Sequence, residues 1–146
     1  MKAKEYLSQI RIMDIRINNK IKDLERLKEM STTLAGFSFM ERVQTSKETG
    51  DTIGDTIAKI VDLQHEINKD IHTLVDLKKE IIGSIEKLAD SDYIDLLYKR
   101  YVEFKKWEQI AVDMNYYIRS VYKIHGRALE EISKILKEGT KRQYEV

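Results

Sequence analysis

The chain predicts an all-α fold: a long N-terminal antiparallel helical hairpin of coiled-coil character, followed by a C-terminal helix-turn-helix. Three observations carry this. The 146 residues contain no proline and only six glycines, and 35% of them are charged, a composition that favours helix almost throughout. Apolar residues recur at helical spacing through most of the chain. A strict 3-4 alternation persists for more than four heptads between Thr56 and Leu88.

From about Ala3 to Met30, Leu7, Ile10, Ile17, Ile21 and Leu24 fit heptad spacing, with Asp14 and Lys28 as polar interruptions. Ile12, Met13, Ile15 and Leu27 widen the stripe beyond a two-stranded seam, as in a helix packing into a local bundle. Residues Ser31 to Asp55 break the period. Ser/Thr clusters, Gly36, Gly50, Gly54 and the polar run QTSKETGDT predict a loop over about 31–55, disordered in part, with one helical turn at Phe39–Val43. Its apolar patch of Leu34, Phe37, Phe39 and Met40 is expected to tuck against the helices.

The next segment is the most regular. Ile57, Ile60, Gln64, Ile67, Ile71, Leu74, Lys78, Ile81, Ile85 and Leu88 form the predicted seam of a helix about 48 Å long, with Asp55 as its N-cap. Gln64 and Lys78 would fix register or partner number there. Val61, Leu63, Val75, Leu77 and Ile82 lie off this seam, more apolar surface than one partner helix covers, which predicts a homo-oligomer. Residues 1–89 thus read as a hairpin and oligomerisation arm. Ala89–Asp92 breaks the helix, with Ser91 or Asp92 capping the next, whose buried face would be Tyr93, Leu96, Leu97 and Tyr101.

Residues 90–138 form the predicted helix-turn-helix domain. Its first motif helix is expected over Trp107–Met114, the turn at Asn115–Tyr116, and the second helix from near Tyr117 to about Leu136, with a frayed tail over 139–146. Small Ala111 allows a close helix crossing, and Met114 and Tyr116 would close the corner. On the second helix Val121, Ile124, Ala128 and Ile132 share one face. Arg119, Lys123 and Glu130 lie opposite, flanked by Ser120, Tyr122 and Arg127. A buried back and a cationic, hydrogen-bonding front are what a helix needs to enter a DNA major groove. Two amphipathic helices of an ordinary bundle would share the buried back.

Charge agrees with this division. Residues 99–146 hold 11 Lys and Arg against 7 Asp and Glu, although the whole chain carries only +1. That asymmetry points to a C-terminal segment that meets phosphate and an N-terminal one that does not. The absence of cysteine excludes disulfides and thiolate metal sites and is compatible with a reducing compartment. No apolar run reaches the roughly 20 residues of a membrane span, so a soluble, cytoplasmic protein without a membrane partner is expected.

Enzyme chemistry finds little footing. His65-Glu66 and His72 suggest a metalloprotease helix, but that motif needs its histidines four apart and these are seven apart. Solvated surface histidines explain them. His125 reads as packed or near DNA. The scattered acids fit exposed i,i+4 ion pairs, and Gly50 and Gly54 lack the lysine and flanking strand of a phosphate loop. No metal, cofactor or catalytic set is expected. For DNA, Arg119 and Lys123 are the residues expected at base edges. Tyr117, Ser120 and Tyr122 would add phosphate or thymine-methyl contacts, and Lys105, Lys106, Gln109 and Arg127 would position the backbone. A solvent-facing cation on a helix is also often merely solvated.

The stretch Ile110–Ala111, Asn115, Val121-x-x-Ile124 and Ala128–Leu129 is similar to region 4 of bacterial sigma factors, and Asp90–Trp107 looks like the helix leading into that motif. More of the chain, most of residues 50–135, resembles the ArpU-type family of phage-encoded late-transcription regulators. The phrases AKIVDL, LLYKRYVE.KKWEQIA and IHGRALEEI occur here in that order. The resemblance implies a sigma-region-4-like helix-turn-helix, promoter DNA and RNA polymerase as partners, and a bacterial host cytoplasm.

Departures from the sigma pattern limit what carries over. Ile118 stands where primary sigma factors carry an arginine and Arg119 where they carry an acidic base-reading residue, so the −35 preference does not transfer. Tyr117 replaces the Ser/Thr cap, forgoing about 1 kcal/mol. Gly126, mid-helix, costs a similar amount. Nothing resembles the region that melts the −10 element. The leading expectation is a phage or prophage DNA-binding transcription regulator. A small-terminase-like DNA recognition subunit would form a ring of many copies, and a helical interaction protein would dock protein instead of DNA.

Overall fold

The computed structural model describes residues 1–41 and 49–144. They form five α-helices: α1 (Ala3–Glu41), α2 (Thr49–Glu86), α3 (Ser91–Leu97), α4 (Trp107–Met114) and α5 (Ile118–Tyr144). A π-helical turn, Tyr98–Val102, extends α3, and no strand occurs among the described residues.

Several boundaries differ from those expected. Residues 31–41 and 49–55 are helical, not loop; residues 42–48, with the end of the turn expected at Phe39–Val43, lie outside the described residues. The hydroxyls of Thr32 and Thr33 donate to the Lys28 and Glu29 carbonyls one turn back, which lets these residues sit in mid-helix. With no proline to break the ladder, exposed Gly36 and Gly54 cost only about 1 kcal/mol each. Asp55 therefore lies inside α2 and caps nothing. The α3 cap is one residue earlier than expected: the Asp90 carboxylate accepts from the Asp92 amide at 2.9 Å. Helix α5 continues through Tyr144, past the tail expected to fray at 139.

The chain divides into two compact units, Met1–Met13 with Leu74–Val146, and Asp14–Thr73. The expected boundary at 89/90 falls inside the first. There Leu7 and Ile10 of α1 and Ile81 and Ile85 of α2 join Leu96, Leu97, Ile110, Val121 and Ile132 in one core, all essentially without solvent exposure. Tyr6 and Ser84 share a buried hydrogen bond of 2.9 Å. Ile81, Ile85 and Leu88 thus pack inside their own chain, because α3–α5 cover them, and are not available as an oligomer seam.

In the second unit α1 and α2 pair antiparallel. Lys20 Nζ meets Asp70 at 2.6 Å and Glu66 at 3.7 Å, while Leu27 and Met30 line a hollow with Leu63 and Lys59. The α2 face turned inward takes Thr56, Ile60, Leu63, Ile67 and Asp70. This is the expected seam rotated by one residue at alternate positions. Ile57, Gln64 and Ile71 are displaced to the exposed flank, and Gln64 sets no intrachain register. On this inward face Lys20 pairs with Asp70, and Thr56 is buried.

Candidate nucleic-acid interface

Helix α4 ends in the αL conformation at Asn115 (φ 58°), with the Asn115 amide donating to Val112 O and the Tyr116 amide to Ala111 O. This double bond pattern closes a helix C-terminus, and asparagine tolerates the left-handed region better than most residues. The chain then turns through Tyr116 and Tyr117, whose carbonyl receives the Val121 amide, so α5 begins at Ile118. Ile110 and Ala111 of α4 and Val121, Ala128 and Ile132 of α5 are buried, with α4 packed on α5 and the π-helical turn and α5 packed on α3. Met114 packs half-buried on this core. The Tyr116 ring stays exposed, and its hydroxyl donates to Asp92 at 2.6 Å.

Burying that back fixes what α5 shows to solvent. Arg119, Lys123 and Arg127, four residues apart, are all exposed, and no ion pair among the described residues involves any of them. Tyr117 is 87% exposed at the start of the helix. Ser120 is half-buried, and Tyr122 is half-exposed with its ring edge-on to Trp107 at 5.5 Å. Five of the nine expected DNA residues therefore lie on the side of α5 away from its buried stripe, and Tyr117 stands just before the helix.

The other three belong to α4 and its approach, and they differ. Lys105 is paired within its own chain at the surface: its Nζ reaches Asp113 at 2.9 Å and Glu103 at 3.2 Å. Gln109 donates to the same Asp113 at 2.8 Å. The Lys105 hydrogen bond, followed by that of Gln109, holds the Asp113 carboxyl below its ordinary range. These two residues brace α4 instead of standing free for a backbone phosphate. Lys106 is exposed, and no ion pair among the described residues involves it.

His125 is packed within the fold. Its Nε2 lies 2.7 Å from the Tyr101 hydroxyl and its ring 4.6 Å from Trp107. Burial first, then the charges of Lys4 and Arg100, bring its pKa down to about 4, so the imidazole is neutral at neutral pH. Lys4, Arg11 and Arg100, which no sequence motif singles out, gather beside Trp107. Spacing holds part of the signal, since Lys4 and Arg11 lie seven apart on one helix face.

Among the described residues no cluster of three or more His, Asp or Glu is placed to hold a metal ion, and no helix is long and apolar enough to cross a membrane. No protein-family model matches the chain, and no curated protein or solved structure matches it either.

Proposed function

We propose that this chain is a DNA-binding regulator of phage or prophage transcription that reads promoter DNA through a sigma-region-4-like helix-turn-helix. The observation that carries the reading is the ridge of Arg119, Lys123 and Arg127 on the outer face of α5, in no ion pair among the described residues and backed by a buried stripe. Arginine and lysine donate well to guanine O6 and N7, and a cation without an internal carboxylate is free to do so. Arg119 and Lys123 read base edges, Arg127 and Lys106 hold phosphates, and Tyr117, Ser120 and Tyr122 fill the flanks. The half-exposed stripe of Ile57, Val61 and Ile71 on α2 supports a homo-oligomer, in which two α5 helices would read spaced half-sites. RNA polymerase is the other partner that surface suits.

The test is duplex binding at about 50 and about 200 mM salt, for wild type and Arg119→Ala/Lys123→Ala. Salt-sensitive binding with a site preference that the double variant loses is the expected result. No binding to any duplex at the lower salt would sink the proposal. Protein docking is then the better reading, favoured by Val112 and Tyr117, which stand 74% and 87% exposed at the corner of the motif.

A further inference from the structure

Four cationic side chains meet at a cavity of about 340 Å³ in the first unit: Lys4 and Arg11 from α1, Arg100 from the π-helical turn, and Lys106 just before α4. Among the described residues no carboxylate lines the cavity and no ion pair involves any of the four. Like charges gathered without a counter-ion repel one another, so the arrangement lowers the fold's stability unless an anion binds. This gathering contrasts with Lys20 and Lys105, each matched to two carboxylates.

Both guanidiniums are pre-positioned. Arg11 lies over the Phe104 ring at 5.2 Å, and Arg100 lies over Trp107 at 4.4 Å while donating to the Lys105 carbonyl at 2.9 Å. Each guanidinium has five N–H donors, so most remain for a ligand. The backbone is shaped for this: Phe104 sits at φ 60°, a conformation unfavourable for an aromatic residue, and the π-helical turn carries Arg100. The uncompensated field reaches His125, where Lys4 and Arg100 disfavour the protonated ring.

The chemistry narrows the ligand. Several converging N–H donors with positive charge suit a tetrahedral oxyanion. The rings of Phe104 and Trp107 already carry guanidiniums, which leaves them poorly placed to stack on a nucleobase. We infer that this cavity is a phosphate-binding site. On the DNA-binding reading, on which this part rests, the ligand is a backbone phosphodiester. The site adjoins the reading face, because Trp107 lines the cavity and touches Tyr122 of α5. It would then anchor the strand beside the bases that Arg119 and Lys123 reach.

Trp107 is the chain's single tryptophan, so its fluorescence reports on the cavity directly. The experiment titrates the full chain with a DNA duplex and, separately, with inorganic phosphate, comparing wild type with Lys4→Gln/Arg11→Gln. In wild type both titrations should saturate. In the variant the phosphate response should vanish, and the log–log salt slope of duplex binding should fall by about 0.9 for each phosphate that is no longer neutralised. An unchanged slope together with an unchanged phosphate response overturns the inference, even where Arg119→Ala/Lys123→Ala abolishes duplex binding and so upholds the DNA reading. A saturable phosphate response without duplex binding keeps the site, assigns it to a free phosphate and ends the DNA reading. Should the double variant lose helicity, Lys106→Gln at an exposed position carries the same test.

Discussion

The two compact units use the same two long helices and the same heptad-like pattern, yet they bury it to different depths. In the first, α3–α5 surround the ends of α1 and α2, and nine large side chains are withdrawn essentially completely from solvent. In the second, each helix has one described neighbour, Ile17 and Ile67 are the buried apolar residues among those described, and Ile57, Val61 and Ile71 stand 49%, 44% and 40% exposed. The number of covering elements, not the apolar content of a helix, decides whether a stripe becomes core or surface. A stripe left over in this way is the surface on which the proposed oligomer would be built.

Substitutions probe that contrast. Leu96→Ala, in the first core, should cost about 2–5 kcal/mol in denaturant unfolding, and Ile67→Ala clearly less. Equal losses would break the contrast between the units. Acidification should act next and on the first unit. The pKa of His125 is about 4 in the fold and 6.5 in an unstructured chain. The unfolded state therefore binds more protons between these values, and stability should fall as pH drops from about 6.5 to about 4, then stop responding to this group. In His125→Gln that part of the pH dependence should be absent from thermal melts followed by circular dichroism.

Tyr6→Phe removes the hydroxyl bonded to buried Ser84 and should cost about 1 kcal/mol. A value near zero would mean that Ser84 finds another partner. Smallest in stability is Ile57→Lys/Ile71→Lys, expected within about 0.5 kcal/mol because both side chains are exposed. Its effect belongs to assembly: sedimentation should show a smaller species than wild type, and an unchanged mass would remove this stripe from the oligomer interface.

Much of the C-terminal half was legible because its signals are local. Leu96, Leu97 and Tyr101 follow one face of a short helix, Val121, Ala128 and Ile132 another, and Asn115 marks a turn that needs the αL region. The face of α2 was harder. Two stripes one residue apart obey the same 3-4 rule, and the one turned inward includes Thr56 and Asp70, polar residues that a hydrophobicity count passes over. The helical ends of the 31–55 stretch were hidden by Ser, Thr and Gly, which only weakly oppose helix when no proline accompanies them. The internal pairing of Lys105 and Gln109 was hidden for another reason. Their common partner Asp113 draws them in, and a cation's exposure depends on which acid lies within reach. The cavity of Lys4, Arg11, Arg100 and Lys106 depends on residues brought together across about a hundred positions of sequence, and no local pattern announces such a meeting.

That long-range closure has a kinetic side. The first core needs Tyr6, Leu7 and Ile10 from the start of α1 and Val121, Ala128 and Ile132 from α5. During synthesis the α1 segment emerges early and must wait, with its apolar side uncovered, until more than a hundred further residues have been made. Contacts so distant in sequence form slowly and leave a window for mispairing. For the same reason, cutting the gene at the expected 89/90 boundary would yield a fragment of α3–α5 without the residues of α1 and α2 that close its core.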